Sequence, residues 1–298
     1  MVDSPALEVV GLRKVYRLRG ERAVARPGSA LLGHARARTQ PVASLVAVDD
    51  VSFTVASGRS LAVVGESGSG KTTVARVIVG LERPTSGRVN VGGRERSWRR
   101  VGSRERRRRA REAQIVFQDP YSSLDPRMTV RAGLTEVLRL HFDWPADRQE
   151  ARVEELLGQV GLDRRQADAL PRGLSGGQRQ RVAIAKALAC EPRVLICDEA
   201  VASLDVSIQA QVLNLLSDIR DATGVSYLFI SHDLAVVRQV SDDVVVMRRG
   251  RVVESGPTDR VLSDPADPYT QRLLAASPRP GGRPTPSVDV DAAMGTPP

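Results

Sequence analysis

The 298 residues hold 41% hydrophobic and 27% charged side chains, enough to bury a full core as one large α/β domain or two smaller ones. A formal net charge of +9 points first to nucleic acid or anionic lipid. Against both, only three of the 44 basic residues are lysines, an arginine skew that reads as codon bias, and at 3% the aromatics needed to stack on single strands are few.

Residues 7–10 and 12–16 read as a first strand region. From about 17 to 43, Arg, Gly, Pro and Ala predominate without a period, over a length that suits a mobile insertion. Val46, Val48, Val51, Phe53 and Val55 alternate with polar residues, as in a half-buried strand ending near Ala56. After a Ser57-Gly58 turn, residues 61–64 form a short apolar strand that leads into Gly65-Glu66-Ser67-Gly68-Ser69-Gly70-Lys71-Thr72-Thr73. Val74, Val77, Ile78 and Leu81 then recur at the spacing of one helix face.

That stretch fits the phosphate-binding pattern G-x-x-x-x-G-K-[ST] at Gly65, Gly70, Lys71 and Thr72, in the required setting of strand, loop and helix. Glycines let successive N–H groups turn toward a polyphosphate, and the helix N-terminus adds the positive end of its dipole. Lys71 suits the β- and γ-phosphates, and the Thr72 hydroxyl suits Mg²⁺.

Pro84-Thr85-Ser86-Gly87 turns into a strand through Val89 and Val91. The arginine-dense run 94–111 can be a nucleic-acid patch or a solvated helix, and the solvated helix is expected. Ile115-Val116-Phe117 reads as a short buried strand ending at Gln118, before a turn that begins at Asp119-Pro120. From about 128 to 189 helical spacing takes over, as in Val153, Leu156, Leu157 and Val160, so a helical segment interrupts the α/β core. Residues 194–197 are a continuous apolar run of the parallel-sheet kind. A helix with Ile208, Val212, Leu215, Leu216 and Ile219 on one face follows. Next come a buried strand at 227–230, a helix from Asp233, strands at 244–247 and 251–253, and two short helices after Gly256-Pro257. Beyond Pro278 the Pro- and Gly-rich end has too little apolar content to fold. Cys190 and Cys197 make neither a disulfide framework nor a metal spacing, which suits a reducing cytoplasm. No apolar run reaches the roughly 18 residues of a membrane span and the N-terminus lacks a basic–apolar signal pattern, so a soluble protein that meets membranes through partners is expected.

Four polar groups lie just past the carboxyl ends of four expected core strands: the phosphate loop, Gln118, Asp198-Glu199 and Ser231-His232. In an open parallel sheet that edge is where ligands bind. Asp198 can hold Mg²⁺, Glu199 can orient and deprotonate an attacking water, Gln118 can contact the metal or that water, and His232 can reach the γ-phosphate.

Leu174-Ser175-Gly176-Gly177-Gln178, followed by Arg179-Gln180-Arg181, resembles the signature sequence of ABC-type ATPases. The phosphate loop, the Gln118 loop, the 195–199 strand end, the Ser203-Leu204-Asp205 turn and the Ser231-His232-Asp233 switch resemble that family in order and spacing. The resemblance, over roughly residues 5–280, implies an α/β fold of the P-loop NTPase kind with a RecA-type core, an antiparallel β part and an inserted α-helical subdomain at about 128–189. It implies an ATP-binding domain over 5–252, and ATP and Mg²⁺ as cofactors. It also implies that two ATPase subunits sandwich each ATP between one phosphate loop (residues 65–73) and the other subunit's Ser175, Gly176, Gly177, Gln178 and Asp205. Tyr16 occupies the place of the aromatic that stacks on adenine.

Residues 116–130, 205–216, 253–258 and 264–274 resemble the oligopeptide and dipeptide importer group, with 253–280 as its C-terminal extension and 281–298 as a disordered tail. Asp125 and Asp267 stand where that group usually has asparagine and histidine, and the cysteine cluster that some members carry for an iron–sulfur centre is absent from the sequence. The resemblance implies an importer ATPase at the cytoplasmic face of the membrane, with a second ATPase subunit, two permeases, an extracytoplasmic solute-binding protein, and no nucleic acid. The competing reading is a soluble ABC ATPase of DNA repair or translation, but the coiled coils, zinc modules or paired ATPase halves of those proteins are missing from the sequence. A subunit without turnover is disfavoured by the intact Glu199 and His232.

Overall fold

A computed structural model describes residues 4–17 and 44–276. Apart from Arg17, the insertion expected at 17–43 lies outside these residues, as does the tail expected at 281–298. In chain order the strands are β1 (Leu7–Arg17), β2 (Ser44–Val55), β3 (Ser60–Val64), β4 (Ser86–Val91), β5 (Arg94–Glu95), β6 (Ala113–Val116), β7 (Val194–Asp198), β8 (Ser226–Ser231), β9 (Asp243–Arg248) and β10 (Arg251–Pro257). The helices are α1 (Lys71–Val79), α2 (Ser103–Glu112), α3 (Val130–His141), α4 (Ala146–Gln159), α5 (Arg164–Ala167), α6 (Gly176–Leu188), α7 (Val206–Thr223), α8 (Leu234–Val240), α9 (Thr258–Ser263) and α10 (Pro268–Ala276).

Two sheets organise the fold. An antiparallel sheet runs β2-β1-β4-β5, and a larger one runs β10-β9-β3-β8-β7-β6, parallel throughout except for the β9–β10 hairpin. All five residues of β3 and all five of β7 are buried, as continuous apolar strands covered on both faces must be. The period of two divides each strand between two cores. Leu61, Val63, Val194, Ile196, Leu228 and Ile230 face α1 and the antiparallel sheet. Ala62, Val64, Leu195, Cys197, Tyr227 and Phe229 face the core built by α3, α4, α6, α7 and α8. A one-residue slip would exchange these sets, which pins the register and the strand ends that carry the site.

The first strand region is one strand, not two: β1 continues through irregular pairing with β2 beside Gly11, whose φ is 58°. α1 opens at Gly70 and closes at Gly80, both in the left-handed region at φ 101° and 86°. Leu81 therefore falls past the helix end and is 64% exposed, so it does not belong to the buried face expected from its spacing. β6 stops at Val116 and forms the sheet edge, leaving Ile115 and Phe117 half-buried rather than enclosed. In α7 the buried face is Val212, Leu213, Leu216 and Ile219, with Ile208 and Leu215 packed at its margin.

The arginine run holds β5 and α2. α2 buries no residue, and Glu105 accepts from Arg108 and Arg109 at 2.7 Å, as on a solvated face. Arg96 is the exception, 3% exposed with Nη2 donating to the Arg109 carbonyl, and burial lowers its pKa to about 10. β10 runs across the boundary expected at 252/253, so the C-terminal helices leave directly from the sheet.

Candidate active site

The sheet order brings the four expected strand ends together. β3, β8, β7 and β6 are consecutive neighbours, and the register sets Val64 beside Ser231, Asp198 beside Ile230 and Val116 beside Cys197. The phosphate loop, Ser231-His232, Asp198-Glu199 and the approach to Gln118 thus share one sheet edge.

Gly65 and Gly70 are glycines because backbone passes against them. A Cβ on Gly65, at φ 146°, would stand 2.1 Å from the Met247 carbonyl oxygen, and one on Gly70 2.3 Å from that of Ala47. No side chain fits there. Within the loop, Ser69 N donates to the Glu66 carbonyl, and the Ser69 carbonyl accepts from Gly250 N at 3.0 Å. Ser67, Gly68 and Thr73 complete the loop and the first helical turn. Lys71 is 5% exposed, and its Nζ donates to the Gly65 and Glu66 carbonyls at 2.7 Å each. Burial lowers its pKa, opposed by the charges of Glu199, Asp198 and Glu66.

Across the edge, Thr72 Oγ1 donates to Asp198 Oδ1 at 3.2 Å. Burial holds the Asp198 carboxyl above its ordinary range; the Thr72 bond opposes the shift and the Glu199 charge adds to it. Glu199, the next residue, has φ 51°, with its N–H on the Ile230 carbonyl. That backbone turns the carboxylate toward β8, where Glu199 Oε1 lies 3.2 Å from His232 Nδ1. Asp233 caps α8 by accepting from Ala235 N and Val236 N, which fixes the turn that presents His232.

Other expected site residues stand apart from this group. The Gln118 side chain is exposed and makes no hydrogen bond to Thr72 or Asp198; its carbonyl accepts from Ser203 Oγ at 3.4 Å. Ser175 and Gln178 are joined in a capping box: Ser175 Oγ accepts from Gln178 N, and Gln178 Oε1 accepts from Ser175 N at 2.8 Å. Gly176 and Gly177 form the first turn of α6, and a Cβ on Gly177 would meet Ile208 Cγ2 at 2.5 Å. Asp205 precedes α7 without a side-chain capping bond. Tyr16, near the end of β1, pairs with Leu45 and lies under Lys14 Nζ at 4.7 Å from its ring centroid.

The sequence did not point to one contact: Glu66 N donates to the hydroxyl of Tyr269 in α10, 203 residues away. The tail carrying Tyr269 is legible as a group marker, but no local pattern says where it docks.

The ABC transporter family model matches residues 48–202, which is half the chain and runs from β2 to the turn after Glu199. The chain belongs to the ABC transporter family. Among relatives of this ABC transporter chain, the di/tripeptide transport ATP-binding protein DppF of Pseudomonas aeruginosa is 44% identical over 246 residues, covering 83% of this chain and 73% of that protein. The dipeptide transport ATP-binding protein DppF of Haemophilus influenzae is 41% identical over 277 residues, covering 93% and 79%. A solved dimeric, post-hydrolysis structure of the ATP-binding cassette MJ0796 bound to ADP and Pi superposes with a TM-score of 0.68 at 25% identity, over 85% of this chain and 98% of that one. The fold is that of the ABC ATPase cassettes, and the nucleotide this family's domain binds is ATP. Among the described residues no helix is long and apolar enough to cross a membrane.

Proposed function

We propose that this chain is the ATP-binding and ATP-hydrolysing subunit of an ABC importer that energises uptake of di- or oligopeptides, or a chemically similar small solute. The observation that carries the reading is the shared sheet edge on which Lys71, the Thr72–Asp198 pair and the Glu199–His232 pair converge. The relatives named for dipeptide transport, matched along most of their length, favour this class over a soluble repair or translation ATPase.

The chemistry follows from the residues. An incoming polyphosphate replaces the Gly65 and Glu66 carbonyls as partner of the buried Lys71 ammonium, exchanging neutral acceptors for charged ones. Thr72 Oγ1 and Asp198 Oδ1 are hard oxygen donors held 3.2 Å apart. No cluster of three or more His, Cys, Asp or Glu that could hold a metal occurs among the described residues. Two protein oxygens with the rest from phosphate and water is how Mg²⁺ is held in such sites, so the residues present fit that ion. When bound there, Mg²⁺ would supply charge neutralisation on the phosphate oxygens and offset the burial of Asp198.

Glu199 takes a proton from water as its oxygen attacks the γ-phosphorus. The bond to the β–γ bridging oxygen breaks, leaving ADP and phosphate. His232, tethered to Glu199, donates toward the transferring group, and Lys71 stabilises its charge. Ser175, Gly176, Gly177, Gln178 and Asp205 act on the ATP of a second ATPase subunit, since none of them bonds to the chain's own phosphate loop. Tyr16 receives the adenine. Gln118 joins the site when the pair closes, and ATP drives closure because its γ-phosphate is gripped well only in the closed state.

A groove of about 510 Å³ between β6 and the helices α3 and α6, lined by Phe117, Val137, Ala183 and the exposed Leu81, accepts a short permease helix beside Gln118. That contact holds the chain at the cytoplasmic face of the membrane. The test is co-expression with candidate permeases and the neighbouring ATPase subunit, followed by ATP turnover and peptide uptake in vesicles. Uptake dependent on both supports the reading; co-purification with DNA or ribosomes and not with permeases overturns it.

A further inference from the structure

We propose that Tyr269 is a positioning residue for the nucleotide site. Its hydroxyl fixes the first turn of the phosphate loop, so docking of α10 and binding of ATP are thermodynamically linked. The proposal rests on the reading of residues 65–73 as the nucleotide site and adds a residue outside that motif.

A loop with Gly65, Gly68 and Gly70 all at positive φ has wide conformational freedom. Its amides face a polyphosphate together only if the turn is already set, and any ordering left until binding weakens affinity. The Glu66 N–H is the first in the loop after Gly65, and it is held at 3.2 Å by Tyr269. This acceptor sits on a braced platform. Glu254 of β10 is 8% exposed, and its carboxylate accepts from Ala266 N at 2.9 Å and Asp267 N at 3.2 Å. Asp267 Oδ1 in turn accepts from Tyr269 N at 2.7 Å, tying the start of α10. The Tyr269 side chain is 2% exposed, with the Arg248 guanidinium 4.9 Å from its ring centroid.

Arg248 and its neighbour Met247 hold the two halves of the contact. The Met247 carbonyl packs against Gly65, and the Arg248 guanidinium covers the Tyr269 ring. The end of β9 thus fixes both the loop and the helix that supplies the acceptor. A buried ring at 269 would need no hydroxyl for packing alone, and phenylalanine would fill the same space. The hydroxyl oxygen is spent on the loop amide. By linkage, whatever tightens the loop around phosphate tightens α10, and release of α10 loosens the loop by the same factor.

The test uses the full chain as wild type and Tyr269→Phe. It measures binding of a fluorescent ATP analogue with Mg²⁺, KM and kcat in the assembled transporter, nucleotide-free melting temperature, and hydrogen exchange of residues 61–72 and 268–276. Tyr269→Phe is expected to weaken binding and raise KM by roughly three- to tenfold, the range of one hydrogen bond, with kcat at saturation unchanged and the nucleotide-free melting temperature lowered by no more than about 2–4 °C. Nucleotide is expected to slow exchange at 268–276 in wild type and not in the variant. Wild-type affinity in Tyr269→Phe, or nucleotide slowing exchange at 268–276 as much in the variant as in wild type, overturns the positioning role. Failure of wild type itself to bind overturns the nucleotide-site reading and the proposal with it.

Discussion

His232 Nδ1 lies 3.2 Å from Glu199 Oε1, and Glu199 reaches it from a left-handed backbone at φ 51°. That conformation is uncommon for a side chain of this size and costs on the order of 1–3 kcal/mol. With its N–H on the Ile230 carbonyl, the residue is held by β8 in a geometry it would not choose alone. Glu199→Gln keeps size and one acceptor oxygen but cannot take a proton. It is expected to lower ATP turnover by about 10²- to 10⁴-fold and to leave an ATP-bound dimer that persists on size exclusion. Turnover within a few-fold of wild type would remove Glu199 as the base.

Asp198 gives the opposite balance between stability and activity. Burial raises its pKa above 3.8, so the unfolded chain releases this proton more readily than the folded one. At neutral pH the ionised carboxylate therefore opposes folding, and the penalty fades as pH falls through the raised folded value. Asp198→Asn is expected to raise the nucleotide-free melting temperature while abolishing Mg²⁺-dependent turnover. Thermal unfolding with and without Mg-ATP checks it, and a lower melting temperature in the variant counts against it.

How much of this was legible in the sequence depended on how local the cause was. β3, β7 and β8 could be read because strands buried on both faces are continuous apolar runs, and their ends carry the polar groups of the site. Leu81 misled because spacing alone does not register a left-handed Gly80 that stops the helix. The capping box of Ser175 and Gln178 is a local pattern, a serine three residues before a glutamine at a helix start, and so could be read from the sequence. The Glu66–Tyr269 bond joins residues 203 apart, and only the fold decides which tail residue meets the loop.

Glu254 should make docking of the C-terminal helix pH-dependent. Burial works to raise its pKa, but the N–H groups of Ala266 and Asp267 that its carboxylate accepts outweigh this and hold it below the ordinary glutamate range. A depressed folded pKa means a contribution fully present above the unfolded value and lost as pH falls through the folded one. Urea unfolding is expected to show wild type more stable than Glu254→Gln above about pH 5, with the gap closing at lower pH. A gap that stays constant down to about pH 3 would assign the effect to shape instead of charge.

Gln180 in α6 is fully buried, and neither amide atom has a partner among the described residues. Such a group carries its desolvation cost without return, about 1–3 kcal/mol. Gln180→Met keeps length and removes the polar atoms, so it is expected to raise unfolding free energy by about 1–2 kcal/mol. A fall would show that the amide meets a partner in the assembled protein.

Gly177 is held to glycine by α7. Its φ lies in the ordinary helical range, so backbone freedom is not the reason; a Cβ would meet Ile208 Cγ2 at 2.5 Å. Ile208 is β-branched and packs against the core, so its methyl cannot swing away without leaving a rotamer. Gly177→Ala is therefore expected to push α6 from α7, costing about 1–3 kcal/mol and shifting the turn that carries Ser175. Gly177→Ala combined with Ile208→Ala removes the clash and should recover part of the stability, as a double-mutant cycle would report. If turnover recovers with stability, the glycine serves helix packing; if turnover stays lost while stability returns, Gly177 is needed bare at the surface that meets the second subunit's ATP. Equal cost of Gly177→Ala with and without Ile208→Ala would show that the two residues do not clash.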